Sequence, residues 1–228
     1  MGRHVFPSLV RGPLESCDRV FDLPNESDDE SADAYVRLQQ EIDDHVVRHA
    51  SGFAFVHSGV IGVGDAAALL IAPSGHGKSS IVEELVARAR VDPPVDQCAD
   101  YYSDEYAAID ARGWVHPYPR SLLVRRGNPT QRPVTPHELG ARVATAPAQV
   151  RLVLEAPHSA EETTPLRITP LDQGAALQLL LKNTPQPIED FPGIFGPFTK
   201  VAGQARSYSG IRGEAPVAAR AILDLLSG

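Results

Sequence analysis

The chain has 228 residues, 43% of them hydrophobic and 22% charged, and 29 acidic residues against 21 basic ones leave a net charge of −8. That is room for one large domain, or one domain and a small appendage, around a core of ordinary size. The acidic balance speaks against nucleic acid or an anionic membrane as the main partner, and no apolar run approaches the roughly 20 residues that span a bilayer.

Residues 4–24 carry short apolar pieces broken by Pro7, Gly12, Pro13 and Pro24, a pattern of short strands and turns. Residues 25–34 are acidic and small and read as a solvated loop. Tyr35, Leu38, Ile42 and Val46 then recur at helical spacing, which predicts an amphipathic helix over 33–49. Three apolar strands are expected around Phe53–Val56, Val60–Val63 and Ala66–Ile71. A glycine-bearing loop and a helix fill 72–90, and a proline-bearing loop, Asp92 to Gln97, closes that unit. Tyr106–Asp110 and Trp114–Tyr118 flank Ala111-Arg112-Gly113 as a hairpin. Gln149–Glu155 is strand-like, and Pro170–Leu181 and Pro216–Leu226 read as helices. Twenty prolines, many within 115–200, shorten the elements there. The first residues lack the apolar stretch of a signal peptide. The two cysteines, Cys17 and Cys98, make no metal spacing or disulfide framework, which suits a reducing cytosol.

Residues 72–80, Ala-Pro-Ser-Gly-His-Gly-Lys-Ser-Ser, carry the chemistry. A strand leads in and a helix leads out, the setting of a phosphate-binding P-loop. Glycines at 75 and 77 let backbone N–H groups converge on phosphate oxygens, and the helix N-terminus favours the anion. Ser74, Gly75, His76, Gly77, Lys78, Ser79 and Ser80 are therefore the expected nucleotide contacts, with the His76 side chain pointing away. Lys78 would reach the β- and γ-phosphates and the Ser79 hydroxyl would ligate Mg2+. Ala72 stands where the usual pattern has its first glycine.

Phosphate transfer needs an acidic group as well. Ser103-Asp104-Glu105, about 25 residues beyond Lys78, is the obvious candidate. Neighbouring carboxylates on a strand point to opposite faces, so both serve one site only across a bulge or turn. Asp104 is the first choice as base or metal group, Glu105 the second. His57 lies between two apolar strands, where a lone histidine is more often a turn or core residue; the same holds for His116. Arg120, Arg125 and Arg126 are the densest nearby basic stretch, and Arg120 or Arg125 could meet transferring phosphate or the acceptor.

The order of these features is specific. His57-Ser58-Gly59, then Ser74–Ser79, then Ser103-Asp104-Glu105 and Val115-His116-Pro117-Tyr118-Pro119-Arg120 resembles the catalytic domain of HPr kinase/phosphorylase and its shorter relatives. These include kinases encoded beside lasso-peptide genes, which phosphorylate a serine on the precursor peptide. The resemblance spans about 50–125. Ser80 and Glu105 depart from the full-length enzymes, whose later glycine-rich signature is missing, which places the chain among the short relatives. The resemblance implies an α/β P-loop kinase core of the HPr kinase/PEP carboxykinase-like type, a mixed central sheet flanked by helices, over 51–228. Residues 1–50 would dock on it as a small strand-and-helix extension. It further implies ATP and Mg2+ as cofactors, with Lys78 and Ser79 on phosphate and metal. The Asp104–Glu105 pair would supply metal ligand and base, and His57 would lie near the phosphates. The acceptor would be a peptide or small-molecule serine, and the family's habit is homo-oligomeric. Two other readings stay open, a P-loop NTPase switch and a nucleotide-binding module without kinase activity. The switch reading lacks its guanine signature, since Lys182-Asn183-Thr184-Pro185 is not Asn-Lys-x-Asp.

Overall fold

The computed structural model describes residues 28–88, 99–124, 132–187, 189 and 191–228. Helix α1 (Asp28–His49) precedes three strands, β1 (Phe53–His57), β2 (Gly59–Val63) and β3 (Ala66–Ile71), and then helix α2 (Lys78–Arg88). Strands β4 (Asp100–Ser103), β5 (Tyr106–Asp110), β6 (Trp114–His116), β7 (Leu122–Val124), β8 (Arg132–Val134), β9 (Arg142–Val143), β10 (Ala148–Glu155) and β11 (Leu166–Pro170) follow. Helices α3 (Gln173–Lys182) and α4 (Phe191–Gln204), strand β12 (Arg206–Arg212) and helix α5 (Ala215–Ser227) complete the order.

One mixed sheet runs β1-β5-β6-β10-β3-β2-β4-β9, with β12 paired to β10 and β11 to β12, while β7 and β8 pair separately. Strand β3 lies at its centre, parallel to β10 on one side and antiparallel to β2 on the other. Its residues alternate between two cores, as a strand's period of two requires. Ala67, Leu69 and Ile71 join the core under α3 and α4, while Ala68 and Leu70 join the one under α2 and α5. Burial on both faces is why Ala66–Ile71 reads as a continuous apolar run. In β10, Val150 faces Ala67 and Leu152 faces Ala68, so the exposed Arg151 is a bulge that re-phases the strand. The fold is α/β, a mixed central sheet flanked by helices, as expected.

Several boundaries differ from the sequence reading. The backbone is helical from Asp28, so 28–34 is not a loop; no Gly or Pro interrupts 28–49. Residues 25–27, the strands expected over 4–24 and the loop Asp92 to Gln97 lie outside the described residues, as do both cysteines. The third helix starts at Gln173 because Asp172 caps it, its carboxylate accepting from the Ala175 N–H, and Pro170 belongs to β11. Helix α4 was not expected at all. Its Gly193, Gly196 and Gly203 each cost about 1 kcal/mol against Ala and the interior Pro197 about 3 kcal/mol. Burial of Ile194, Phe198 and Val201, each contributing about 1.5–3 kcal/mol, offsets that penalty.

The contact that sets α2 against the sheet is at Gly59. A Cβ there would lie 2.5 Å from Val82 Cγ2 and 3.5 Å from Lys78 Cγ. The missing side chain lets the helix seat Lys78 directly over β2. Gly59→Ala is expected to lower stability by about 1–3 kcal/mol, read as a shifted urea midpoint with an unchanged slope; an unchanged midpoint would refute the close approach.

Candidate active site

Strand β3 ends at Ile71, and the chain turns through 72–77 before α2 begins at Lys78. Gly75 and Gly77 take φ of 80° and 79°, a left-handed region that suits glycine. Ala72 is buried, and no described residue other than glycine has a positive φ, so the loop's path does not require glycine at 72. The His76 N–H donates to Pro73 O at 3.2 Å, and its Nδ1 lies 3.0 Å from Ser74 O, which ties the imidazole to the loop.

Beside this loop opens a cavity of about 310 Å³. His57, Ser74, Gly75, Gly77, Lys78, Ser79, Ser80 and Glu105 line it, together with Gln40 of α1 and Leu123 and Val124 of β7. Asp104 and Glu105 occupy a turn between β4 and β5 rather than a continuous strand; Glu105 reaches the cavity, and Asp104 is buried behind it beside Lys78 and Ser79. Ser103 Oγ accepts from the N–H groups of Glu105 and Tyr106, at 3.2 Å each, which holds the turn. The Ser58 N–H donates to Glu105 O at 3.0 Å, so the β1–β2 junction is stitched to the same turn. His57 Nε2 donates to Glu105 Oε1 at 2.9 Å. The sequence required a bulge or turn here for both carboxylates to serve one site, and a turn is what the structure has.

Two of the buried side-chain polar atoms without a partner among the described residues belong to this site. Lys78 Nζ and Asp104 Oδ1 are buried, and neither makes a hydrogen bond within the protein. Leaving such atoms unpaired costs roughly 1–3 kcal/mol each, more for a charged group. Burial pulls the Lys78 ammonium below its usual range, against the charges of Glu105 and Asp104. Burial pushes Asp104 up to about 7, although a Ser79 hydrogen bond and the Lys78 charge oppose it. Glu105 also feels burial, but the His57 hydrogen bond and the Lys78 charge outweigh it and hold the carboxyl down at about 2. One carboxylate is thus poised to exchange a proton near neutrality while its neighbour stays ionised.

Of the residues expected at 74–80, all but His76 line the cavity, and His57 and Glu105 line it with them; Asp104 is buried beside Lys78 and Ser79 rather than on the cavity wall. Arg120 does not line the cavity. It pairs with Asp43 of α1, whose Oδ1 accepts from Tyr118 Oη at 2.6 Å. Its charge still acts on Lys78, Asp104 and Glu105 from behind. Arg125 lies outside the described residues. His116 pairs with Asp110, at 3.2 Å, on the β5–β6 hairpin. Sequence reading missed Gln40, Leu123, Asp43 and Arg212. The last donates from Nη2 to Gly77 O at 2.7 Å. Its one signal was an arginine between glycines in Gly210-Ile211-Arg212-Gly213, in a segment too polar to read as a strand.

The donor set suits a magnesium nucleotide. Among the described residues no three His, Cys, Asp or Glu side chains form a group that could hold a metal ion by themselves. A cation here would draw on Ser79 Oγ, a carboxylate, water and phosphate oxygens, which is how Mg2+ is usually held in phosphate sites. The unpaired Lys78 Nζ and the glycine cradle fit the phosphates. Among the described residues no helix is long and apolar enough to cross a membrane.

No family model matches the chain, and none of the curated proteins does. Among solved structures it is similar to one described as the structure of the Hpr(Ser) kinase/phosphatase from Coxiella burnetii, at 12% identity and a TM-score of 0.40, over 76% of this chain and 93% of that one. At that TM-score nothing about this chain follows from the likeness.

The Asp104 carboxyl binds its proton more tightly folded, at about 7, than unfolded, at its ordinary 3.8. Between those values the folded state holds the extra proton, so stability falls as pH rises through the window. Asp104→Asn removes that slope. The variant should match the parent below pH 4 and melt higher at pH 8, by roughly 2–4 °C per kcal/mol relieved. A variant less stable than the parent at pH 8 in thermal melts would contradict the burial argument.

Proposed function

We propose that the chain is an ATP- and Mg2+-dependent kinase that transfers the γ-phosphoryl group to a serine hydroxyl on a precursor peptide of the lasso-peptide kind. The observation that carries this reading is the pair of buried, unpartnered atoms, Lys78 Nζ and Asp104 Oδ1, set beside a glycine cradle. Both lack a partner in the protein itself, and a polyphosphate beside a hydroxyl supplies one for each.

Backbone N–H groups of 75–79 and Lys78 Nζ bind and orient the β- and γ-phosphate oxygens. Ser79 Oγ and the ionised Glu105 would hold Mg2+, which offsets charge on the transferring group when bound. His57 fixes the Glu105 carboxylate by its hydrogen bond. Asp104 accepts the serine proton, since a group that titrates near 7 can take a proton and hold it. The serine Oγ–phosphorus bond forms as the bond to the bridging β–γ oxygen breaks, and ADP leaves. Gln40, Leu123 and Val124 form the wall on which the acceptor would lie.

The test is mass spectrometry after incubation with ATP and Mg2+, offering a peptide with a C-terminal serine, free serine and HPr. A phosphoryl mass gain on the peptide is expected, lost in Lys78→Ala. Release of ADP with no phosphorylated acceptor would replace the kinase by an NTPase. Asp104→Asn should cut transfer by about 10²–10⁴-fold with nucleotide binding kept. Glu105→Gln should chiefly raise the Mg2+ concentration required, and the opposite pattern would exchange the two roles.

A further inference from the structure

Arg212 ends β12, far from the phosphate loop in sequence, yet its guanidinium lies under that loop. The residue is only 2% exposed. Nη2 donates to Gly77 O at 2.7 Å and Nη1 donates to Gly213 O at 2.8 Å. These partners are carbonyl oxygens, not carboxylates. Burying a cation on neutral partners is costly, and burial pulls the guanidinium below its usual range, with the Glu214 charge opposing. The backbone around it is fixed on both sides: the Arg212 N–H donates to Pro157 O at 3.1 Å, and Arg212 O accepts from Ser159 N at 3.0 Å. The neighbouring His158 N–H donates to His76 O, also at 3.1 Å.

Peptide planarity turns these contacts into a statement about phosphate binding. In a trans peptide the C=O of one residue and the N–H of the next point in opposite directions. His158 holds the His76 carbonyl, which aims the Gly77 N–H the other way. Arg212 holds the Gly77 carbonyl, which already accepts from the Ile81 N–H at 3.1 Å as the helix begins, and so aims the Lys78 N–H the other way. That other way is the cavity, whose lining includes Gly77 and Lys78 but neither His158 nor Arg212. A Cβ at Gly77 would sit 2.5 Å from Arg212 Nη2, so loop and guanidinium are fitted to each other.

We infer that Arg212 is a positioning residue of the phosphate site: by gripping the Gly77 carbonyl from below it presets the Lys78 N–H toward the phosphates. This rests on the reading of the loop as a nucleotide site. Without the grip the Gly77 carbonyl keeps only its bond from the Ile81 N–H at the frayed first turn of α2, the 77–78 peptide is held from one side alone, and binding must order it further. The role differs from that of Lys78, which meets phosphate with its own charge.

The test is calorimetric titration of the full chain with MgADP and MgATP at about 15 °C, for wild type, Arg212→Lys, Arg212→Met and Lys78→Ala. Lysine keeps the charge but cannot donate to both carbonyls with the guanidinium's planar fork. Both Arg212 variants should remain folded by circular dichroism and bind both nucleotides at least roughly tenfold more weakly. Should Arg212→Met fail to fold, Arg212→Lys alone decides. Affinity within twofold of wild type in a folded Arg212 variant, while Lys78→Ala loses binding, overturns the inference and leaves the nucleotide site standing. Wild type that binds neither nucleotide overturns the nucleotide site, and the inference with it.

Discussion

Everything in this site hangs on β3, a strand buried on both faces at the centre of the sheet. Its alternation between two cores fixes its register against β2 and β10, and a slip of one residue would exchange the cores. Its last residue therefore delivers the loop at 72–77 to one place. Helix α2 is pressed onto the same sheet at Gly59, so the loop is held at both ends before any side chain takes part. Strand β4 is brought to that place by its pairing with β2, and β1, paired with β5, runs directly into β2 through Ser58; their ends carry the Ser103 turn and His57.

The site is assembled against the grain of burial. Lys78, Asp104 and Arg212 are all buried polar groups in a protein whose stability rests on apolar packing. The first two lack partners for one atom each, and the third has only carbonyl oxygens for its bonds. A close-packed interior keeps them so because the neighbouring sheet and helices leave them nowhere to go. Groups held ready for charge in this way need little rearrangement when charge arrives, the usual basis of electrostatic preorganisation. The divergence of Asp104 and Glu105 has the same origin: adjacent in sequence, one is enclosed and the other is paired with His57.

Helix α1 belongs to this arrangement more closely than its place before the core suggests. Asp43 anchors Tyr118 and Arg120. The Tyr118 N–H donates to Tyr102 O at 3.0 Å, and Tyr101 Oη donates to Arg120 O at 2.8 Å. The strand that ends in the acidic turn is thereby tied to a helix on the far side of the cavity, which also supplies Gln40 to its wall.

Local chemistry was legible in the chain. The run Ala66–Ile71 followed by Ser-Gly-His-Gly-Lys-Ser identified strand, loop and helix, because apolar continuity and glycine placement act over a few residues. His57, Asp104 and Glu105 could be proposed for the same reason. Helix α4 could not be seen, since Gly193, Gly196 and Pro197 argue against it and only burial of Ile194, Phe198 and Val201 overrules them. Nor could Arg212, Asp43 or the engagement of Arg120, because each acts through a partner far away in sequence. By itself the sequence determined where the central strand runs and which residues of the loop after it are candidates for phosphate binding. The tertiary structure alone decided that Asp104 and Glu105 share a turn, that one is buried and the other paired, and that an arginine from the far end of the chain grips the phosphate loop. These are properties of packing and dielectric environment, which exist only once distant segments meet.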